Sequence, residues 1–212
     1  MPAAIRAAAG KFLLARLGSL FAIAPLGAWT AVHLWSSLAA FDSPAAWQDA
    51  VTAHSSLASR VLVSILVIGP LLWHTIWGIV RLARTRPNLD LTAFSNVRYL
   101  LQRLAALGLL AFLAGHLWFA WAQPRFLQGH AEAFGDIAHA MRHDLPTMVV
   151  YLLGTLAIAY HLANGLWSFS MGWGLAVGKT ALAWMQRLAV AVFIVLLAIG
   201  WGAVYALWRV GA

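Results

Sequence analysis

Five stretches, residues 17–37, 60–80, 103–122, 146–167 and 188–208, are apolar almost throughout. At about 1.5 Å of rise per residue, about 20 such residues cross the hydrocarbon core of a bilayer as a helix. Composition agrees: 63% of residues are hydrophobic and 9% charged, against roughly 25% charged in a soluble domain. The chain is predicted to be an all-α membrane protein with five transmembrane helices in one domain, residues 1–212. No cleavable leader is predicted. The first apolar run follows Arg6, Lys11 and Arg16, but it is too long for a leader's apolar region and carries a histidine.

The connections are short. Pro44 lies in the first and Pro87 in the second; Pro124 and Pro146 flank the third, and Gly172, Gly174 and Gly178 mark the fourth. The third, with Glu132, Asp136, Arg142 and Asp144, reads as a surface loop holding a short helix. There is no cysteine, which excludes disulfides, thiolate metal sites and iron–sulfur ligation by this chain. The net charge of +8 is explained by cations in short loops beside spans, so no nucleic-acid partner is expected.

Four histidines, His33, His74, His116 and His161, fall one in each of the first four apolar stretches, at intervals of 41, 42 and 45 residues. An ionisable side chain within a bilayer is costly and is a functional-site hypothesis by default. Neutral imidazole is a common axial ligand of haem iron. The set predicts a four-helix core holding two bis-histidine haems, with a fifth helix beside it.

Cations set the orientation. With the N-terminus inside, the inner segments hold Arg6, Lys11, Arg16, Arg81, Arg84, Arg86, Arg98, Arg103, Lys179 and Arg187. The outer ones hold Arg60, Arg125, Arg142 and Arg209. The excess on one side predicts N-in and C-out. Depth then follows from helical rise. His33 and His116 lie past the middles of outward-running spans, on the outer side; His74 and His161 lie about 6 Å to the inner side in spans that run inward. The histidines sort into an outer pair, His33 with His116, and an inner pair, His74 with His161. A single metal reaching all four is excluded, because the levels are roughly 10 Å or more apart. A lone intramembrane histidine is often a packing or hydrogen-bonding residue; two matched pairs are not accounted for that way. Gly78, Ala114, Gly115 and Gly165 beside the histidines would admit a flat macrocycle, though ordinary helix packing uses the same residues.

These residues carry a resemblance. Arg16-Leu-Gly-Ser-Leu and Pro25-Leu-Gly27 lead to His33. Pro70-Leu-Leu-Trp-His74-Thr-Ile-Trp-Gly78 follows, then Leu101-Gln-Arg103 before His116. His161-Leu-Ala-Asn-Gly-Leu-Trp-Ser-Phe169 precedes Trp173-Gly174, and Gln186-Arg187 opens the last span. In these motifs the chain resembles the dihaem cytochrome b558 subunits of succinate dehydrogenases and fumarate reductases, single-chain anchors with five spans. The resemblance implies the same ligand pairing, first span with third and second with fourth. It also implies a multi-pass protein of a prokaryotic cytoplasmic membrane that holds a flavoprotein and an iron–sulfur protein on the inner face. Such a subunit carries electrons between the iron–sulfur clusters and menaquinone or ubiquinone, within a complex open to higher oligomers. The chain has no nucleotide-binding fingerprint and does not oxidise succinate alone. Some fumarate-reducing relatives carry a glutamate two residues before the fourth ligand; here Ala159 stands there, which tilts the reading toward succinate oxidation.

Around this core, Ser19, Tyr99, Arg103 and Lys179 stand at the level of the inner haem and are candidate propionate partners; Ser19 and Lys179 occupy places similar to such partners in the family. For Arg103 and Lys179 the plainer account is cations snorkelling to the interface. Asn164 and Ser168 are expected to bond back to their own helix. A quinone site needs a titratable group with water access. Asp49 and His54 are the candidates near the outer haem, with His130, His139 and His143 in the third connection; Arg16, Ser19 and Tyr99 are the inner alternatives. Two other classes of function compete: a dihaem cytochrome b serving another dehydrogenase or a hydrogenase, and a transporter whose histidines line a proton or metal path.

Overall fold

The computed structural model describes residues 10, 13, 16–52, 56–86, 88 and 90–211, and these form helices and turns with no strand among them. Five helices are long and apolar enough to cross a membrane: Arg16–Phe41, Leu57–Arg84, Phe94–Gln128, Leu145–Gly172 and Lys179–Val210. They are the first to fifth spans below. Each expected stretch lies inside one of them, and each helix is longer than the stretch. Hydropathy marks only the lipid-facing middle. Backbone hydrogen bonding continues beyond the apolar stretches, and Arg81, Arg84 and Arg98 are still helical.

The connections are built by local chemistry. Ser43 caps a short helix, Pro44–Trp47: its hydroxyl accepts from the Ala46 N–H at 3.1 Å, and Pro44 takes the first position. The turn Gln48–Thr52 continues it. The helix expected in the third connection is Phe134–His143, and it buries Phe134, Ile137, Ala138 and Met141. Gly174 and Gly178 take φ of 69° and 86° in the fourth connection, a region that only glycine enters freely.

Three prolines act inside the spans. Pro25 lies in a π-helical stretch, Ala22–Gly27. Another, Ser64–Ile68, directly precedes Gly69-Pro70, and Trp118–Ala122 precedes Pro124. A proline ring clashes with the carbonyl four residues back and offers no N–H. A wider turn relieves the clash without ending the helix. Pro124 therefore does not bound the third connection as the sequence suggested; the helix passes it and stops at Gly129, with φ of 77°.

The fourth span is central and packs on the third, the fifth and the start of the first. Leu34, Ala159 and Leu196 form a core between the first, fourth and fifth spans. A second core gathers Ala40, Trp47, Met141 and Leu207 beneath the helix Phe134–His143. The end with Arg16 is called the N-terminal end below, and the end with this second core the far end. Gly154 lets the third and fourth spans close: a Cβ there would overlap the Phe112 ring. Replacing Gly154 by leucine is expected to cost about 1–3 kcal/mol by overpacking. The readout is a lower unfolding midpoint in detergent; an unchanged midpoint would show that this contact is dispensable.

Candidate cofactor cavity

A cavity of about 1720 Å³ runs between the spans, and all four histidines line it. Single-ligand pockets hold roughly 300–1,000 Å³, so this one has room for more than one large group. His33 and His116 face each other with ring centroids 6.0 Å apart and planes inclined at 62°. His74 and His161 do the same at 6.0 Å and 70°. The pairs are those expected from charge and depth. Two in-line bonds of roughly 2 Å from a metal to imidazole nitrogens would set ring centres roughly 6 Å apart, so each pair is spaced for one metal between its rings.

Neighbouring groups orient the rings. The Gly18 carbonyl stands 3.0 Å from His74 Nδ1. A carbonyl only accepts, so the ring proton is on Nδ1 and Nε2 is left for a metal. Gly18 comes this close because it has no side chain: a Cβ there would sit 2.5 Å from the Trp77 ring, and Trp77 packs beside His74 at 5.9 Å. Tyr151 Oη lies 3.2 Å from His116 Nδ1, and Phe112 stacks on the same ring at 5.4 Å. Trp29 stacks on His33 at 6.0 Å, with planes 7° apart. Gly78 and Gly165 line the cavity, and a Cβ on either would meet nothing within 4 Å. Open space beside backbone is what a flat group between the helices requires.

The other residues singled out from the sequence fall as follows. Ser19, Tyr99 and Arg103 line the N-terminal end of the cavity. Ser19 accepts from Trp173 Nε1 at 3.1 Å. Tyr99 donates to Thr85 Oγ1 at 3.1 Å, and Arg103 donates to the Thr85 carbonyl at 2.6 Å. Lys179 starts the fifth span exposed and outside the cavity lining; Arg16 and Arg81 line it instead. Ser168 bonds back to the Asn164 carbonyl at 2.9 Å, as expected, but the Asn164 side chain reaches across to Gln102 at 2.8 Å. Asp49 is exposed and not in the lining; its neighbours Trp47 and Val51 are. His54 lies outside the described residues. His130 lines the far end, while His139 and His143 are exposed and pair with each other, ring centroids 4.6 Å apart.

Three features were missed in the sequence. Trp47 is 4% exposed and lines the far end; its indole N–H has no partner among the described residues. Glu132 lines the same end with Arg125. Burial pushes its carboxyl up to about 7, Arg125 pulling it down and Asp136 adding to the rise. Arg98, Asn164 and Gln102 form a polar chain ending on His161. Polar residues in apolar runs were the available signal for the last; nothing local marked the first two.

No protein-family profile matches the chain, and no solved structure matches it. A curated relative, the succinate dehydrogenase cytochrome b558 subunit of Bacillus subtilis (strain 168), is 27% identical over 199 residues, covering 92% of this chain and 96% of the relative. This similarity along nearly the whole of both chains bears out the resemblance to the succinate dehydrogenase cytochrome b558 subunits drawn from the histidine motifs.

Proposed function

We propose that this chain is the membrane anchor and electron-transfer subunit of a succinate:quinone oxidoreductase. The facing histidine pairs are the observation that carries the reading. Each pair is spaced for one metal, and the cavity between them is open where glycines replace side chains. When bound, two b-type haems supply one-electron carriers, an inner one between His74 and His161 and an outer one between His33 and His116. The protein's part is to hold the ligands, keep water away and meet the propionates. At the N-terminal end Arg16, Arg81 and Arg103 supply cations, with Ser19 and Tyr99 as hydroxyl partners. Lys179 is proposed to reach a propionate only if its exposed side chain folds inward.

The N-terminal end is proposed as the inner face, where the iron–sulfur subunit docks with the flavoprotein beyond it. Its loops are short and basic, which suits attachment by charge complementarity. Quinone is placed at the far end, beside the outer haem. Trp47 offers an unpartnered N–H and Glu132 a carboxyl that exchanges its proton near neutral pH. Asp49, exposed beside the lining residues Trp47 and Val51, is proposed as the proton entry together with His54. Ala159 is fully buried with Leu34 and Leu196, so that position supplies no carboxylate for moving protons across.

The test is purification of the tagged chain from its own membrane, with a reduced-minus-oxidised spectrum and identification of the co-purifying subunits. Two low-spin b-type haems, a flavoprotein and an iron–sulfur protein crosslinked through 81–103 or 168–187 are the expected result. Absence of haem bands, or nickel or molybdenum partners in place of a flavoprotein, would overturn it.

A further inference from the structure

Two histidines of the third connection lie outside the cavity lining. His139 and His143 are exposed on the helix Phe134–His143, one turn apart. Their ring centroids are 4.6 Å apart and their planes inclined at 41°. Among the described residues neither ring has a hydrogen-bond partner. Two imidazoles therefore stand side by side at the surface with their nitrogens open to solvent.

The separation carries information. An imidazole bound through nitrogen at roughly 2 Å sets its ring centre roughly 3.2 Å from the metal. Two such rings at roughly 90–110° around one ion have centres roughly 4.5–5.2 Å apart. The facing pairs in the cavity, at 6.0 Å, are spaced for ligands on opposite sides of a metal. His139 and His143 are spaced for adjacent ligands of one ion. Histidines at i and i+4 share a helix face, an arrangement by which helices hold zinc.

The surroundings favour a cation. The other face of the helix buries Phe134, Ile137, Ala138 and Met141 beside Trp47, Val204 and Leu207, which fixes the backbone under both rings. Arg142 lays its guanidinium over the Trp208 ring at 4.1 Å, which occupies its charge away from the pair. Asp136 is exposed three residues before His139 and seven before His143, on the same stripe of the helix, and Asp144 is exposed just after it.

We propose that His139 and His143 chelate a divalent transition-metal ion of the zinc, nickel or copper class on the surface of this helix. Imidazole nitrogen suits these ions, whereas calcium and magnesium take oxygen ligands. Among the described residues no third histidine or carboxylate completes the site, so water fills the remaining positions and the ion exchanges with solvent. Closed structural sites have four protein ligands. The bound ion staples the last turn of a helix that packs on the fifth span, and stabilises the folded form because the unfolded chain does not hold the rings together. The inference is independent of the haem and quinone readings.

The experiment is zinc binding by equilibrium dialysis on the complex, purified with a histidine-free tag and rinsed with a weak chelator. Divalent copper, read by electron paramagnetic resonance, is the second probe. Wild type is expected to bind one more zinc than the double variant His139→Ala, His143→Ala. The difference copper spectrum between the two is expected to show splitting from two imidazole nitrogens. Either single replacement is expected to weaken this uptake at least tenfold, since the second ligand then no longer binds within one molecule. Zinc is expected to raise the unfolding midpoint of wild type and to leave that of the double variant in place. Both rings are exposed, so the variants are expected to keep the metal-free midpoint of wild type. Equal zinc uptake by wild type and the double variant, or an unchanged copper signal in either single variant, would overturn the proposal.

Discussion

Replacement of His74 or His161 by alanine is expected to remove the inner haem and halve the haem content of the purified complex. The same change at His33 or His116 is expected to remove the outer one. The rings of each pair stand 6.0 Å apart across the cavity. Alanine leaves one axial position empty and opens a void in the cavity wall. Ligand binding to the native state stabilises it by mass action, so loss of a tightly held group is also expected to lower the unfolding midpoint. Quinone reduction is expected to fall at least 100-fold in all four variants, since each breaks the same path, and this exceeds the 10–100-fold that outer-shell changes produce. Succinate oxidation with a soluble dye should persist, because that chemistry lies outside this chain. Haem content by pyridine haemochrome decides the matter. A His74→Ala protein with two haems and an unaltered low-spin spectrum would show the pairing to be wrong.

The spans and the facing histidine pairs were legible in the sequence because they rest on long-range regularities. Hydropathy over 20 residues survives local irregularity. Depth along a helix converts residue number into height, which sorted His33 with His116 and His74 with His161 before any side chain was placed. What escaped was set by local geometry. The π-turns at Pro25, Pro70 and Pro124 let the helices run through prolines that usually break them, so the third span extends to Gln128. Lys179 was expected at the inner haem from its place in the motif, yet a helix start with Gly178 at φ of 86° leaves it exposed. Asn164 was expected to bond its own helix and bonds a neighbour instead. That choice depends on which residue faces it at the same height on another span, which one sequence does not state. Trp47 and Glu132 sit in connections, and only the folding of the first connection against the helix Phe134–His143 brings both to the cavity. Gln48 makes that junction: its amide donates to the Glu132 carbonyl at 2.9 Å and accepts from the Phe134 N–H at 3.0 Å.

Glu132→Gln is expected to lower quinone reductase activity at least tenfold while leaving both haems in place. Reduction of a quinone takes up two protons with its two electrons, and a general acid contributes most when its pKa lies near the working pH. Glu132 meets that condition because burial raises its carboxyl to about 7, with Arg125 opposing and Asp136 reinforcing the shift. Tyr151, which lies against His116, and the exposed His130 share its stretch of the cavity wall. The sign of the pH dependence follows. The carboxyl is protonated, and able to donate, below about 7, so wild-type activity limited by this step should fall as pH rises through that value. Glutamine has no proton to give, so the variant should be slow and lack that limb. Stability carries a matching signature. A carboxyl with a raised native pKa binds its proton more tightly when folded, so its contribution is present at low pH and is lost as pH rises from the unfolded value of 4.5 through about 7. The wild-type unfolding midpoint should therefore decline over that interval more than that of Glu132→Gln. Asp49→Asn and His54→Ala are expected to slow proton entry without moving the limb near 7. A Glu132→Gln complex with normal turnover and an unaltered pH profile would take proton delivery away from this residue and return the quinone site to the N-terminal end, beside Ser19 and Tyr99.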